Sequence, residues 1–167
     1  MKNKFSRMVA IILALFMCAL IFGACNSTND STKHLKLTEQ MIKSKMADSD
    51  GTLTIDSGST EDVTAFTYVF ESRVISSLKN KENTRSVVKE AQSGGGVTYH
   101  DYQVYSAFCD TMLVVGLIYD KENFNGDTYI EELLSILCDG SVKTYNGWTV
   151  SVTINQSTEN ITIKCYV

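Results

Sequence analysis

This chain of 167 residues has no proline and only two histidines. Without proline, its turns and helix stops must come from Gly, Asn, Asp or Ser. No C-x-x-C pair and no zinc-type Cys-His spacing occurs, so redox-motif and zinc-ribbon readings have no support. Neither G-x-S-x-G nor H-E-x-x-H is present, which removes the nucleophile-elbow and zincin classes. The glycines at 94–96 fit neither dinucleotide-binding nor P-loop spacing, and no Lys-Ser/Thr follows them. They read as a hinge or turn. Positive charge is scarce as well. The chain has 15 basic and 19 acidic residues, and Lys2, Lys4 and Arg7 lie before Cys25. Past that cysteine, 12 basic residues face 19 acidic ones, a net of −7. Phosphate binding needs a basic field, so the composition argues against a nucleic-acid partner and against tight docking on anionic headgroups.

The N-terminus is where the chain is specific. Three cations are followed by Met8–Ala24, which carries no charge, and Gly23-Ala24 stands directly before Cys25. A basic start, an apolar run and a small-residue site form the pattern of an export signal. Ile21-Phe22-Gly23-Ala24-Cys25 resembles the lipobox of bacterial lipoproteins, with Phe22 where that class has Leu or another aliphatic residue. The resemblance covers residues 1–25 alone. It implies cleavage before Cys25, a diacylglycerol thioether and palmitate on that cysteine, and a place on the extracytoplasmic face of the cell membrane. At about 0.8 kcal/mol per buried CH₂, two acyl chains make a lasting anchor where one is marginal. Asn26–Thr32 has no apolar side chain and reads as a flexible tether. The expected organisation is a signal peptide at 1–24, lipidated Cys25 with its tether to 34, and a single domain at 35–167, a length that suits one core.

Within the domain, apolar spacing predicts a helix in Lys33–Ala47, a turn at Asp48–Gly51 and a short strand over Thr52–Asp56. Thr60–Lys79 places Val63, Phe66, Phe70, Val74 and Leu78 three or four apart, which predicts the strongest helix of the chain. Asn83–Gln92 reads as a shorter helix, with a strand over 86–91 as the alternative. Val97–Asp120 reads as a helix capped by Thr98 with Asp101, although Val114, Val115 and Ile118 also suit a strand. Thr128-x-x-Glu131 looks like a capping box for a helix ended by Gly140. Alternation in 148–154 and 161–167 predicts a hairpin, with Thr52–Asp56 or Val142–Tyr145 as further strands. The expected fold class is α+β: several helices packed on a small antiparallel sheet ending in a C-terminal β-hairpin.

Candidate chemistry in this domain is sparse. His34 falls in the tether, leaving His100 as a base and Cys109 as a nucleophile, nine residues apart. With Cys18 and Cys25 set aside, Cys109, Cys138 and Cys165 remain, which allows one disulfide and a thiol or three thiols. From Lys121 to Glu132, Asn123, Asn125, Gly126 and Glu132 fall at EF-hand places three, five, six and twelve. Lys121 at place one repels a cation, so a glycine turn before a capped helix is the better reading. Tyr99 and Tyr102, beside the glycines, suit protein, peptide or glycan contact. No cofactor is implied. The chain reads as a lipid-anchored binding or interaction domain at the cell envelope. Its partner would be an envelope protein, a cell-wall component or a small ligand. A thiol-dependent or hydrolytic enzyme using His100, and an accessory subunit of a transporter or secretion system, are the alternatives.

Overall fold

A computed structural model describes residues 34–57, 62–119 and 125–167. Residues 1–33, with the expected signal segment, Cys25 and the expected tether before His34, therefore lie outside the described residues. The fold is α+β; the described residues form five helices and one five-stranded antiparallel sheet. In chain order the elements are α1 (Glu39–Lys45), β1 (Thr52–Ser57), β2 (Val63–Glu71), α2 (Ile75–Leu78), α3 (Lys81–Gln92), α4 (Tyr99–Val115), α5 (Gly126–Asp139), β3 (Lys143–Tyr145), β4 (Trp148–Asn155) and β5 (Asn160–Tyr166). The strand order is β1-β2-β5-β4-β3, so the sheet joins a β1–β2 pair to a β3–β4–β5 meander. Helices α2 to α5 are inserted between these two parts.

The main correction concerns Thr60–Lys79. Instead of one helix, this stretch contains β2, a turn and the four-residue α2. A spacing of four keeps Phe66 and Phe70 on one side of a strand as well as of a helix, because four is an even number. Phe66, Tyr68 and Phe70 form the buried side of β2, while Ala65, Thr67 and Val69 face the other way. The segment is rich in aromatic and β-branched residues, and both edges of β2 are paired, to β1 and to β5. Val63 is buried as well, beside an irregularity in the register at Asp56/Ser57.

The other helices follow local signals. Thr98 caps α4, its hydroxyl accepting from the Asp101 N–H at 3.1 Å. Asn80 caps α3, which is helical throughout 86–91. Helix α5 begins at Gly126 and is capped by Asn125, not by Thr128. Gly140 ends it with φ +66°, a left-handed conformation that glycine adopts freely. Strands β3 and β4 meet through Asn146-Gly147, both at positive φ, a turn whose twist matches the strands.

The core lies between the helices and one face of the sheet. Phe66, Tyr68, Ile161, Ile163, Cys165, Trp148 and Val150 contribute from the strands. Val88, Phe108, Val114, Leu133, Leu134 and Leu137 contribute from the helices. Each large apolar side chain buried there stabilises the fold by about 1.5–3 kcal/mol. Trp148 is fully buried between Phe66 and His34, and its indole N–H donates to the Leu35 carbonyl at 2.6 Å. The His34 ring, assigned by sequence to the tether, thus packs on the core. The other sheet face is polar and open: Thr52, Thr54, Thr153, Lys164 and Tyr166 are exposed, and Thr67, Ser151 and Thr162 are half-exposed. No helix among the described residues is long and apolar enough to cross a membrane.

Candidate functional site

Both residues singled out for catalysis, His100 and Cys109, are carried by α4. They do not meet as a pair. His100 lies in the exposed first turn, whereas Cys109 is half-buried farther along the helix. Burial, with the nearby Asp110 charge, pushes the Cys109 thiol up to about 12 despite its hydrogen bond with Tyr105. A thiol held protonated in this way is a poor nucleophile, because the thiolate is the species that attacks. Cys165 lies buried on the core side of β5, and burial raises its pKa also. Cys138 is half-buried and is raised chiefly by burial. All three thiols are free, so none forms a disulfide.

His100 has other partners. Its Nε2 lies 2.9 Å from the Ser77 hydroxyl of α2, and its Nδ1 is 3.5 Å from Asp101 Oδ1. The second Asp101 oxygen accepts from the Thr98 hydroxyl at 2.7 Å. That hydrogen bond is the main reason the Asp101 carboxyl is held below its ordinary range, and His100 adds to it. Thr98, Asp101, His100 and Ser77 thus form a chain of polar contacts running from the cap of α4 to α2. Nothing in the sequence spacing links Ser77 to His100, which are 23 residues apart. The contact arises from packing.

A second polar cluster lies farther along α4. Asp110 is the only charged residue between Tyr102 and Tyr119, and it is half-buried. The Tyr68 hydroxyl, on the core side of β2, donates to Asp110 Oδ1 at 3.4 Å and accepts from the Gly51 N–H at 3.0 Å. Gly51 closes the Asp48–Gly51 turn against the Tyr68 ring. A Cβ there would stand 2.4 Å from two ring carbons. Burial first, and the Asp50 charge after the opposing effect of Tyr68, raise the Asp110 carboxyl to about 6. Tyr68 is itself pushed up to about 12, mainly by burial and then by the Asp110 charge. Sequence reading missed this cluster, although a lone acid within a long apolar helix was the available signal.

The calcium candidates are placed differently. Asn125 is used as the cap of α5, and Glu132 accepts from the Tyr145 hydroxyl at 2.9 Å. Lys121 and Asn123 lie outside the described residues. Among the described residues no group of three or more His, Cys, Asp or Glu side chains is arranged to hold a metal ion. Tyr119, Tyr129 and Tyr145 gather beside Glu132, with the Tyr119 ring 4.3 Å from that of Tyr129 and 4.9 Å from that of Tyr145. Rings this close are packed on each other and leave no room for a cation between them. Of the remaining aromatics, Tyr105 and Phe108 are core, Tyr102 is half-buried and Tyr99 is 77% exposed. An open depression borders Glu39, Gln40, Lys43 and Ser44 on α1, and none of these polar clusters contributes to its lining. Compared with family models, with curated proteins and with solved structures, the chain matches none.

Proposed function

We propose that this chain is a lipoprotein precursor whose domain acts as a binding module at the cell envelope. The observation that carries the anchor is Gly23-Ala24-Cys25, placed directly after three cations and an uncharged apolar run. Cleavage before Cys25 leaves that residue to carry the lipid. Asn26–Thr32 then spaces the domain from the bilayer. The net charge of −7 past Cys25 keeps the domain from lying flat on anionic headgroups.

The open face of the sheet is the surface offered to a partner. Thr54, Thr67, Lys164 and Ser151 follow one another across β1, β2, β5 and β4 in register, and Thr52, Val69, Thr162 and Thr153 form the next row. These rows give a broad array of hydroxyls on a stiff support, bordered by the exposed Tyr166 ring. Such a surface suits a polar, hydroxyl-rich cell-wall component better than an apolar ligand, which requires an enclosed pocket. Metabolic labelling of the full chain with palmitate, alongside Cys25→Ala, tests the anchor. Label should disappear in the variant, and unchanged labelling refutes lipidation at Cys25. Co-sedimentation with purified cell-wall material tests the surface. Thr67→Glu with Thr162→Glu should abolish pelleting without unfolding the domain; pelleting equal to the parent chain rejects this face.

A further inference from the structure

The contact between Ser77 and His100 joins two elements of unrelated sequence, and its atoms are those of a serine nucleophile and its base. We propose that Ser77, His100 and Asp101 form a solvent-facing nucleophilic site that attacks small neutral acyl esters. The order of contacts is the one this chemistry needs. The Ser77 hydroxyl is 2.9 Å from His100 Nε2, within reach of proton transfer. The other imidazole nitrogen faces the Asp101 carboxylate at 3.5 Å. That carboxylate is fixed in turn by Thr98, which also caps the helix. Asp101 therefore selects the tautomer with hydrogen on Nδ1, leaving Nε2 free to accept. Asp101 and Thr98 are positioning residues, whereas Ser77 and His100 are the groups that meet the ester.

The step balances without a cofactor. Ser77 Oγ forms a bond to the carbonyl carbon as its proton passes to Nε2. The bond from that carbon to the leaving oxygen breaks, and the Nε2 proton goes to that oxygen. A water molecule then repeats the sequence on the Ser77 ester, releasing the acid and restoring the hydroxyl. The imidazolium formed in between is paired with Asp101. The site is open, with the His100 side chain 53% exposed and the Ser77–His100 contact at the surface. This arrangement fits an unhindered ester and offers no walls to select a particular acyl chain.

The test uses the full chain in detergent micelles and a fluorophosphonate, which forms an oxygen–phosphorus bond to an activated serine and releases fluoride. A single adduct should appear at Ser77 by peptide mass mapping. The labelling rate should fall about 100-fold or more in Ser77→Ala and in His100→Gln. Glutamine can keep a hydrogen bond to Ser77 but cannot act as the base, so this variant separates chemistry from structure. Asp101→Asn should lower the maximal labelling rate and leave the half-saturating probe concentration unchanged, because the imidazolium loses its partner. Circular dichroism should be unchanged in all three variants. No adduct, adducts scattered over exposed hydroxyls, or a Ser77→Ala rate equal to the parent each overturns the proposal.

Discussion

The two polar clusters on α4 have similar ingredients and opposite settings. Both pair an aspartate with a hydroxyl and a further polar group. Near the N-terminus, Asp101 is accessible, hydrogen-bonded to Thr98 and held below its ordinary range. Farther along, Asp110 is packed against Tyr68 and raised to about 6. The difference shows that burial outweighs a single hydrogen bond in setting the charge of a carboxyl group. Tyr68 lowers the pKa of Asp110, yet desolvation and the Asp50 charge prevail. One cluster remains charged in water, while the other strains against its own ionisation.

The contrast can be put to measurement. The largest effect is expected in the pH dependence of stability. The folded-state pKa of Asp110, about 6, lies above its unfolded value of about 3.8, so the folded state holds its proton more tightly. Stability associated with Asp110 is therefore present below about pH 4 and is lost as pH rises through 6. Two pKa units correspond to at most about 3 kcal/mol. Denaturant titrations across pH 4–7 should show this loss, and Asp110→Asn should flatten its share of the slope. An unchanged slope in Asp110→Asn would remove the buried carboxyl from the explanation.

Gly51→Ala should cost about 1–3 kcal/mol, because the new Cβ collides with the Tyr68 ring. A neutral result in thermal melts would mean that the Asp48–Gly51 turn is free to move aside. Tyr68→Phe should cost about 1–2 kcal/mol by orphaning the Gly51 N–H. It should also raise the Asp110 midpoint further, which NMR titration of the carboxyl would detect. At the exposed end, His100→Ala should change stability by no more than about 0.5 kcal/mol. A loss as large as that of Gly51→Ala would show that the two ends of α4 are not distinct in the sense described.

Much of the fold was legible because local and tertiary signals agree. Alternation in β4 and β5 matches their burial, and the Thr98 cap marks the start of α4 at Tyr99. The apolar run at the end of α4 is helical despite its β-branched residues, since that part of the helix is buried among its neighbours. Strand β2 was misread because Phe66 and Phe70 satisfy either period, and only pairing with β1 and β5 decides between them. Asn146-Gly147 was a direct hairpin signal for β3–β4 that went unused. The site was less legible. His100 was a visible candidate, but Ser77 reaches it through packing, and Tyr68 reaches Asp110 in the same way. Periodicity cannot report such contacts between distant elements.

The central position of β5 has a consequence for timing. Residues 160–166 pair with β2 on one side and β4 on the other, so they alone join the two parts of the sheet. A chain emerging from a ribosome cannot close this sheet until those residues are out. Earlier segments can form α1 or the β1–β2 pair, but a two-stranded ribbon is marginal by itself. Such late closure through long-range contacts makes for slower folding than local pairing would.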